Sequence, residues 1–152
     1  MHPYFKMKTV IRVPFEDIDA FNVVHNAKYF CYFERGRVEY LRHLGFMDDG
    51  DESLKNLEVA IVEHYCSYRK PARFDDDLSI HLRISYLKNS SFQFQYLITR
   101  DEESSLLTLG YSNLVFFNSV TLKPKTLNPE LRDAVTQFEG DHLGQMTGIP
   151  EL

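Results

Sequence analysis

One fifteen-residue segment holds most of the side chains in this sequence that could do chemistry. Residues 15–29 contain three carboxylates, a short apolar turn, the pair His25–Asn26 and the start of a helical pattern. A helix N-terminus presents backbone N–H groups without intrahelical acceptors at the positive end of the helix dipole. A carboxylate a few residues upstream can fold back toward these donors. The segment therefore predicts a base or nucleophile beside an oxyanion site.

The three carboxylates, Glu16, Asp17 and Asp19, also have plainer interpretations. An Asp in a short turn often caps that turn by accepting from a nearby backbone N–H. Neighbouring like charges favour protonation of one carboxyl group, but we expect Glu16 and Asp17 to lie in an exposed turn without a coupled role. No further oxygen-rich loop follows, so a divalent-metal site is not predicted.

The elements that position this segment fit into one domain. A chain of 152 residues and 17.9 kDa predicts a single domain over residues 1–152, with a core at about 4–120 and a short helix and tail after 124. Hydrophobic residues make up 43% of the chain, including twelve Phe and nine Tyr, which is enough to fill that core. The net charge of −5 argues against nucleic-acid binding, which needs a basic face.

The sequence also predicts a cytoplasmic protein. It has no run of eighteen apolar residues and no signal-peptide pattern in its first twenty residues, so stable membrane insertion is not expected. The two cysteines, Cys31 and Cys66, lie in a helical and a strand pattern. Their spacing suggests neither a metal site nor a disulfide framework, which fits a reducing compartment.

The longest helical pattern follows the acidic segment directly. Apolar residues recur at helical spacing over 27–44, with Asn26 as the expected N-cap and Gly45 as the expected C′ residue. The charged residues within it are expected to form ion pairs three or four positions apart that brace the helix surface. These residues are Glu34, Arg35, Arg37 and Glu39.

Alternating patterns predict strands before and after this helix. Short turns separate the later four strands, which makes their pairing antiparallel, since parallel pairing needs a long crossover. The sequence predicts an α+β fold: a five-stranded antiparallel sheet wrapped around one long helix. We expect an exposed acidic loop at 46–57, a frayed C-terminal end, and dimerisation through a long aromatic strand such as 106–117. The predicted strands are 4–14, 59–66, 78–86, 92–99 and 107–117, and a short helix is predicted at 129–138.

The acidic segment resembles the signature of a known family. Phe-Glu-Asp-Ile-Asp-Ala at 15–20 and Val-Val-His-Asn-Ala-Lys-Tyr-Phe at 23–30, followed by Phe-Glu-Arg-Gly-Arg, resemble hotdog-fold acyl-coenzyme A thioesterases. Within that group the chain is most similar to the 4-hydroxybenzoyl-coenzyme A thioesterase family, including its Tol-Pal-associated members. The resemblance covers roughly residues 5–125. It continues through 62–78, through Ser-Ser-Phe at 90–92 and through the strand at 107–117.

The resemblance implies a mechanism and an assembly. Asp19 matches the family's catalytic aspartate, which either attacks the thioester to form a mixed anhydride or activates a water. The backbone N–H of Asn26 matches the position that polarises the carbonyl. His25 is expected at the thioester end of the pocket, as a polar assistant or a packed histidine, and Tyr29 borders the acyl group or fills the core. The family implies dimers joined edge to edge, often tetramers, with active sites at subunit interfaces and no metal or other cofactor.

Coenzyme A is part of such a substrate, and its phosphates need cations despite the negative net charge. The resemblance places Lys88–Ser90 where relatives contact the nucleotide, and a generic solvated surface is the alternative for each candidate. The full candidate set is Arg69, Lys70, Arg73, Lys88, Asn89 and Ser90.

The chain departs from the family at one point. Many relatives have Gly at the position of Phe21 or Asn22; Asn22 tolerates positive φ better than most residues.

Three other functions are alternatives to an acyl-coenzyme A thioesterase. One is a non-catalytic acyl-coenzyme A-binding module. A second is a hotdog enoyl-coenzyme A hydratase, whose motif separates Asp and His by four residues, whereas five separate Asp19 from His25. A third is a thioesterase for acyl-carrier protein, which would need a basic docking face.

Overall fold

The computed structural model describes residues 3–47, 58–100 and 105–145. It confirms the α+β class, the five antiparallel strands and both helices, and the expected acidic loop lies mostly outside the described residues. The elements are β1 (Met7–Arg12), α1 (Lys28–His43), β2 (Val59–Tyr68), β3 (Asp77–Leu87), β4 (Ser91–Arg100), β5 (Ser105–Phe116) and α2 (Pro129–Glu139), with 3-10 turns at Phe15–Asp17 and Gly140–His142.

The strand order makes β2 an edge of the sheet. The five strands pair antiparallel in the order β1-β3-β4-β5-β2. β5, the aromatic strand through which the sequence predicts dimerisation, is hydrogen-bonded on both sides, to β4 and to β2, so it is not available for edge-to-edge pairing with a second copy. A register shift between Ile61 and Glu63 interrupts the β2–β5 ladder, and residues 61–64 of β2 are exposed.

Helix α1 packs closely against one face of the sheet. Phe33 of α1 stacks on Tyr96 of β4 with ring centroids 4.1 Å apart. A Cβ atom added at Gly110 would lie 2.8 Å from the Phe33 ring and 2.4 Å from the backbone oxygen of Tyr65. Only glycine fits there, so Gly110 sets how closely the helix approaches the sheet. Gly45 has φ +84°, which confirms it as the C′ residue of α1.

The C-terminal segment completes the β3 edge beyond the end of β1. β1 pairs with β3 only from Asp77 to Leu82, so the next β3 backbone groups need other partners. The Glu139 Oε1 atom accepts from the Ile84 N–H at 2.8 Å and from the Tyr40 hydroxyl at 2.6 Å, and Gly144 N–H donates to the Ser85 oxygen at 2.7 Å.

Residues 140–145 are also held by Arg83, so the prediction of a frayed end is wrong for them. Arg83 is fully buried, donates Nε to Gln95 at 2.9 Å, and donates its terminal nitrogens to the backbone oxygens of His142 and Gln145. Its guanidinium carbon lies 5.4 Å from the Tyr4 ring centroid. The N-terminal and C-terminal ends of the described chain therefore meet on this arginine.

Glu139 should make stability depend on pH. Burial raises its pKa above the ordinary carboxyl value, and Arg83 and Lys6 oppose that shift without cancelling it. A raised folded-state pKa stabilises below the unfolded value and loses that stabilisation as pH rises through the folded value. We expect the unfolding free energy of the wild type, measured by chemical denaturation, to fall relative to that of Glu139→Gln as pH rises above the ordinary carboxyl pKa. A difference independent of pH would contradict this.

Glu139→Ala tests the hydrogen bonds that the same side chain accepts. It leaves the Tyr40 hydroxyl and the Ile84 N–H without their acceptor, so we expect a loss of about 3 kcal/mol in unfolding free energy. Glu139→Gln retains an acceptor oxygen for both donors and should lose much less.

Candidate active site

A tight hairpin between β1 and α1 positions Asp19. Ile18 and Val24 form a bridge, Asp19 N–H donates to the Val23 oxygen at 2.9 Å, and Asn22 N–H donates to the Asp19 oxygen at 3.0 Å. Asn22 has φ +60°, so it takes the conformation for which relatives use glycine. The turn therefore forms without glycine.

The Asp19 carboxylate has one occupied oxygen and one open oxygen. Its Oδ1 atom accepts from the Phe21 N–H at 2.8 Å, which is the turn-capping contact that the sequence also allows. Its Oδ2 atom has no hydrogen-bond partner among residues 3–47, 58–100 and 105–145, and the side chain is half-buried. One oxygen thus shapes the loop while the other stays available for chemistry.

Asp17 anchors the hairpin to the helix, which corrects the prediction that it lies exposed without a coupled role. It is only 6% exposed. The Tyr32 hydroxyl donates to its Oδ2 at 2.7 Å, the Lys28 ammonium lies 3.2 Å from its Oδ1, and His25 N–H donates to its backbone oxygen at 2.9 Å. Burial and the bond to Asp17 raise the pKa of Tyr32 far above its ordinary value. Glu16 is exposed, as predicted.

Ala27, rather than Asn26, is the N-cap of α1, and His25 accepts hydrogen bonds in the turn before it. The helix begins at Lys28 with Ala27 in the cap position, so the prediction of Asn26 as N-cap is wrong. The backbone oxygen of His25 accepts from Lys28 N–H at 2.9 Å, and its Nδ1 atom accepts from Ala27 N–H at 3.1 Å. These bonds fix the imidazole with Nδ1 as an acceptor, which leaves Nε2 as the nitrogen that bears hydrogen in the neutral ring.

Asn26 is left with a free backbone donor. Among the four consecutive N–H groups at positions 25–28, three have acceptors and that of Asn26 has none in the described part of the chain. The backbone oxygen of Asn26 accepts from the Tyr68 hydroxyl at 2.9 Å, which fixes the peptide at the end of β2. A free N–H at a helix start and an open carboxylate oxygen in the hairpin just before it are the two kinds of group that a carbonyl under attack requires.

Tyr29 belongs to the core of the chain. It is 2% exposed, its ring packs edge-on against Tyr68 at 5.1 Å, and its hydroxyl accepts from the Ala72 N–H at 3.1 Å. Val24 N–H donates to the Ala72 oxygen at 2.9 Å. Of the two roles that the sequence allows, the structure favours packing: Tyr29 holds the β2–β3 loop against the Asp19 hairpin.

The predicted coenzyme A contacts fall at two opposite ends of the sheet. Arg69, Lys70 and Arg73 are exposed in the β2–β3 loop, next to the hairpin, and Lys70 donates to the Ser105 hydroxyl at 3.0 Å. Residues 88–90 form the β3–β4 turn. The eleven residues of β3 separate the two groups, a span of about 35 Å. One chain therefore does not bring all six residues together.

The environment of Arg37 differs from the one that the sequence predicts. Arg37 is 8% exposed and forms no ion pair in the described part of the chain, contrary to the predicted surface bracing. Glu39 instead pairs with Arg42 on the helix surface. Arg37 lines a cavity of about 250 Å³ between α1 and the sheet. The signal was present, because Arg37 lies four residues after Phe33 and three before Tyr40, on the apolar side of the helical pattern.

The family model described as the thioesterase-like superfamily matches residues 13–135. The chain belongs to this superfamily. It is 34% identical to "Acyl-CoA thioester hydrolase YbgC" of Escherichia coli O157:H7 over 119 residues, covering 77% of this chain and 86% of the relative. It is 37% identical to "Putative esterase" of Aquifex aeolicus over 91 residues, covering 60% of this chain and 70% of the relative.

Solved structures of thioesterases show the same fold. A thioesterase from Thermus thermophilus, in complex with coenzyme A and Zn, superposes with a TM-score of 0.77 at 22% identity, over 91% of this chain and 97% of the other. Across the described ranges, no cluster of three or more His, Cys, Asp or Glu side chains is arranged to hold a metal ion. None of the helices in these ranges has the length and apolar character needed to cross a bilayer.

Asp17 should control the order of the hairpin. Tyr32→Phe removes one of two side-chain partners of a buried carboxylate, and we expect a loss of about 1–2 kcal/mol in unfolding free energy. We also expect faster amide hydrogen exchange at Asp19 and Asn22, measured by NMR. Tyr111→Phe removes an exposed tyrosine–glutamate bond elsewhere and serves as the control. Unchanged exchange at both hairpin amides in Tyr32→Phe would contradict the anchoring role.

Proposed function

We propose that this protein is a hotdog-fold acyl-coenzyme A thioesterase that hydrolyses an acyl or aryl thioester to a free acid and coenzyme A. One observation supports this most strongly: an open oxygen of Asp19 and the free N–H of Asn26 belong to the same hairpin and helix start. Membership of the thioesterase-like superfamily and the acyl-CoA thioester hydrolases among the relatives support the same reaction. The proposal treats residues 1–152 as one domain, because α2 packs into the same core as α1.

Two routes fit the proposed site. In the first, the Asp19 carboxylate attacks the thioester carbon, the C–S bond breaks to release the coenzyme A thiolate, and water hydrolyses the resulting mixed anhydride. In the second, Asp19 takes a proton from a water that attacks the carbon directly, and the tetrahedral intermediate then collapses by breaking the C–S bond to release the acid and the coenzyme A thiolate. In both routes the carbonyl oxygen becomes an oxyanion. The Asn26 N–H and the α1 dipole stabilise that charge, and one such donor contributes about 3 kcal/mol.

In this proposal, His25 assists the reaction through its second ring nitrogen, Nε2. Its Nδ1 atom accepts from the Ala27 N–H, so Nε2 is the ring nitrogen left to donate to the thioester or the leaving thiolate. The proposal includes no cofactor beyond the coenzyme A of the substrate, since both routes need only a carboxylate, a water and hydrogen-bond donors. We assign the reaction to the cytoplasm, where acyl-coenzyme A thioesters are found.

The proposed active enzyme is at least a homodimer, and two dimers joined as a tetramer would preserve the same site. β2 is an edge strand, and pairing it antiparallel with β2 of a second copy sets Tyr68 of one copy near Val59 of the other. The β3–β4 turn lies at the Val59 end, since Phe116 N–H donates to the Ser90 oxygen and Phe116 pairs with Val59. Residues 88–90 of the second copy thereby approach the hairpin and the β2–β3 loop of the first.

Asp19→Asn tests the chemistry. The amide oxygen still accepts from Phe21 N–H, so the hairpin should persist, whereas the base or nucleophile is lost. We expect thiol release from acyl-coenzyme A to fall by about 10³-fold or more. Asp75→Asn removes an exposed carboxylate near the same end of the sheet and is the matched control, with full activity expected.

The substrates for this test are aryl-, short- and long-chain coenzyme A thioesters. Undiminished turnover by Asp19→Asn would remove the assignment. Acyl-coenzyme A binding by the wild type without any turnover would support a non-catalytic binding module, and His25-dependent addition of water to an enoyl thioester would support a hydratase.

A mixed dimer tests whether the site is shared. Asp19→Asn lacks the catalytic group, and Lys88→Glu should raise KM by opposing the phosphates. If each site combines Asp19 of one copy with Lys88 of the other, a heterodimer of the two variants contains one fully wild-type site. We expect activity with the wild-type KM to return on mixing and exchange of subunits. No such activity would show that Lys88 does not serve a site across the dimer.

A further inference from the structure

The turn at residues 25–28, which carries the free N–H of the candidate site, is shaped by hydrogen bonds within its own segment. His25 N–H donates to the Asp17 oxygen at 2.9 Å. Ala27 N–H donates to Nδ1 of His25 at 3.1 Å, and Lys28 N–H donates to the backbone oxygen of His25 at 2.9 Å. These bonds join residues that are close together in the chain. They fix the shape of the turn, but they do not fix its place relative to the sheet.

One hydrogen bond ties this turn to a strand. The Tyr68 hydroxyl, at the end of β2, donates to the Asn26 oxygen at 2.9 Å. Within the described ranges, no other hydrogen bond joins the turn to a β-strand. The residues on either side are held differently, because Val24 and Tyr29 both bond to Ala72 in the β2–β3 loop. Tyr68 is therefore the direct connection between the turn and the sheet.

The Tyr68 contact orients a backbone peptide group. The peptide bond between Asn26 and Ala27 is planar. It is held on both sides, since Tyr68 donates to its oxygen and Nδ1 of His25 accepts from its N–H. The preceding peptide carries the free Asn26 N–H, and Lys28 holds it at its oxygen. The direction of the free N–H therefore depends on two anchored peptides, one of which is bonded to β2.

Tyr68 has a packed ring and a protonated hydroxyl. Its ring lies edge-on against the buried Tyr29, with centroids 5.1 Å apart. Burial and a bond with the Cys66 side chain raise the pKa of Tyr68 above the ordinary tyrosine value, so the hydroxyl remains a donor. Tyr68 is also 47% exposed, so water can reach the Asn26 oxygen when the hydroxyl is removed. That water satisfies the oxygen without tying it to β2.

We infer that Tyr68 is a positioning residue for the proposed reaction: its hydroxyl holds the Asn26 N–H in a defined place relative to the edge strand β2. This inference rests on the proposed function. Because the proposed dimer pairs along β2, one strand locates both the donor to the carbonyl oxygen and the residues of the second copy that approach coenzyme A. Tyr68 acts through Asn26. The Asn26 N–H binds the carbonyl oxygen more strongly as charge develops there, so the Tyr68 hydroxyl contributes to kcat rather than to KM.

Tyr68→Phe removes the hydroxyl and keeps the ring that packs against Tyr29. With the better substrate of benzoyl- and octanoyl-coenzyme A, we expect kcat to fall by roughly 3- to 10-fold, the effect of one neutral hydrogen bond, while KM stays within about twofold. Tyr111→Phe removes an exposed tyrosine–glutamate bond on β5 and is the matched control, with both constants unchanged. A raised KM at the wild-type kcat would assign Tyr68 to substrate binding and overturn the inference.

A vibrational measurement detects the donor directly. The same two ligands are labelled with carbon-13 at the thioester carbonyl and bound to Asp19→Asn, and isotope-edited infrared difference spectra give the carbonyl stretching frequency. A hydrogen bond to that oxygen lowers the frequency. We expect the frequency to lie below that of the free ligand in Asp19→Asn, and to return part of the way when Tyr68→Phe is added. Adding Tyr111→Phe instead should leave it unchanged.

The outcomes separate the inference from the proposed function. An unchanged kcat or an unchanged carbonyl frequency in Tyr68→Phe would overturn the positioning role and leave the thioesterase assignment intact. A bound carbonyl in Asp19→Asn with the frequency of the free ligand would overturn the inference without any Tyr68 variant, because no donor would then be acting on the oxygen. Failure of the wild type to hydrolyse any acyl-coenzyme A would instead overturn the proposed function.

Discussion

The geometry of the candidate site depends on the buried carboxylate of Asp17. An ionised carboxylate with so little exposure needs several partners, and it finds them in the Tyr32 hydroxyl and the Lys28 ammonium on the first turns of α1. Its backbone oxygen holds the His25 N–H. The loop before the helix and the start of the helix are thereby joined at one residue. Asp19 follows two residues later, so the contacts of Asp17 also fix its position.

The antiparallel sheet is the reason that the proposed site includes residues of a second copy. Residues near the hairpin gather at one end of the sheet, and the β3–β4 turn with α2 gathers at the other. An edge strand that pairs with its own copy reverses direction across the two-fold axis, so unlike ends meet. The same operation forms two sites at once. The exposed β2 edge and the separation of the basic residues are thus two consequences of one topology.

The buried ionisable side chains of this fold differ in how many protein partners they have. Glu139 and Arg83 lie where the C-terminal segment completes the β3 edge, and each has several protein partners. Arg37 is nearly as buried but has one neutral partner among the described residues and adjoins a cavity. The protein partners of Glu139 and Arg83 explain how these two groups can be buried.

The sequence determined the elements and the local chemistry. The period of two in the strands, the period of 3.6 in α1 and the turn residues between them predicted every helix and strand to within a few residues, because these signals are local. The resemblance of 15–30 to a thioesterase signature identified Asp19, and Asn22 was expected to accept positive φ. Such features depend on a few neighbouring residues, which one sequence contains in full.

Tertiary structure decided which polar groups are buried, and the sequence could not. Asp17 looks like a surface charge in the chain, yet Tyr32 covers it, because burial depends on residues far away in sequence. Because β1 begins at Met7, which pairs with Leu82, the Ile84 N–H of β3 has no partner in β1 and donates to Glu139 instead. The order of strands, with β5 inside and β2 at the edge, follows from long-range pairing. Contacts between distant segments set the energy of a buried charge, and only the folded chain brings those segments together.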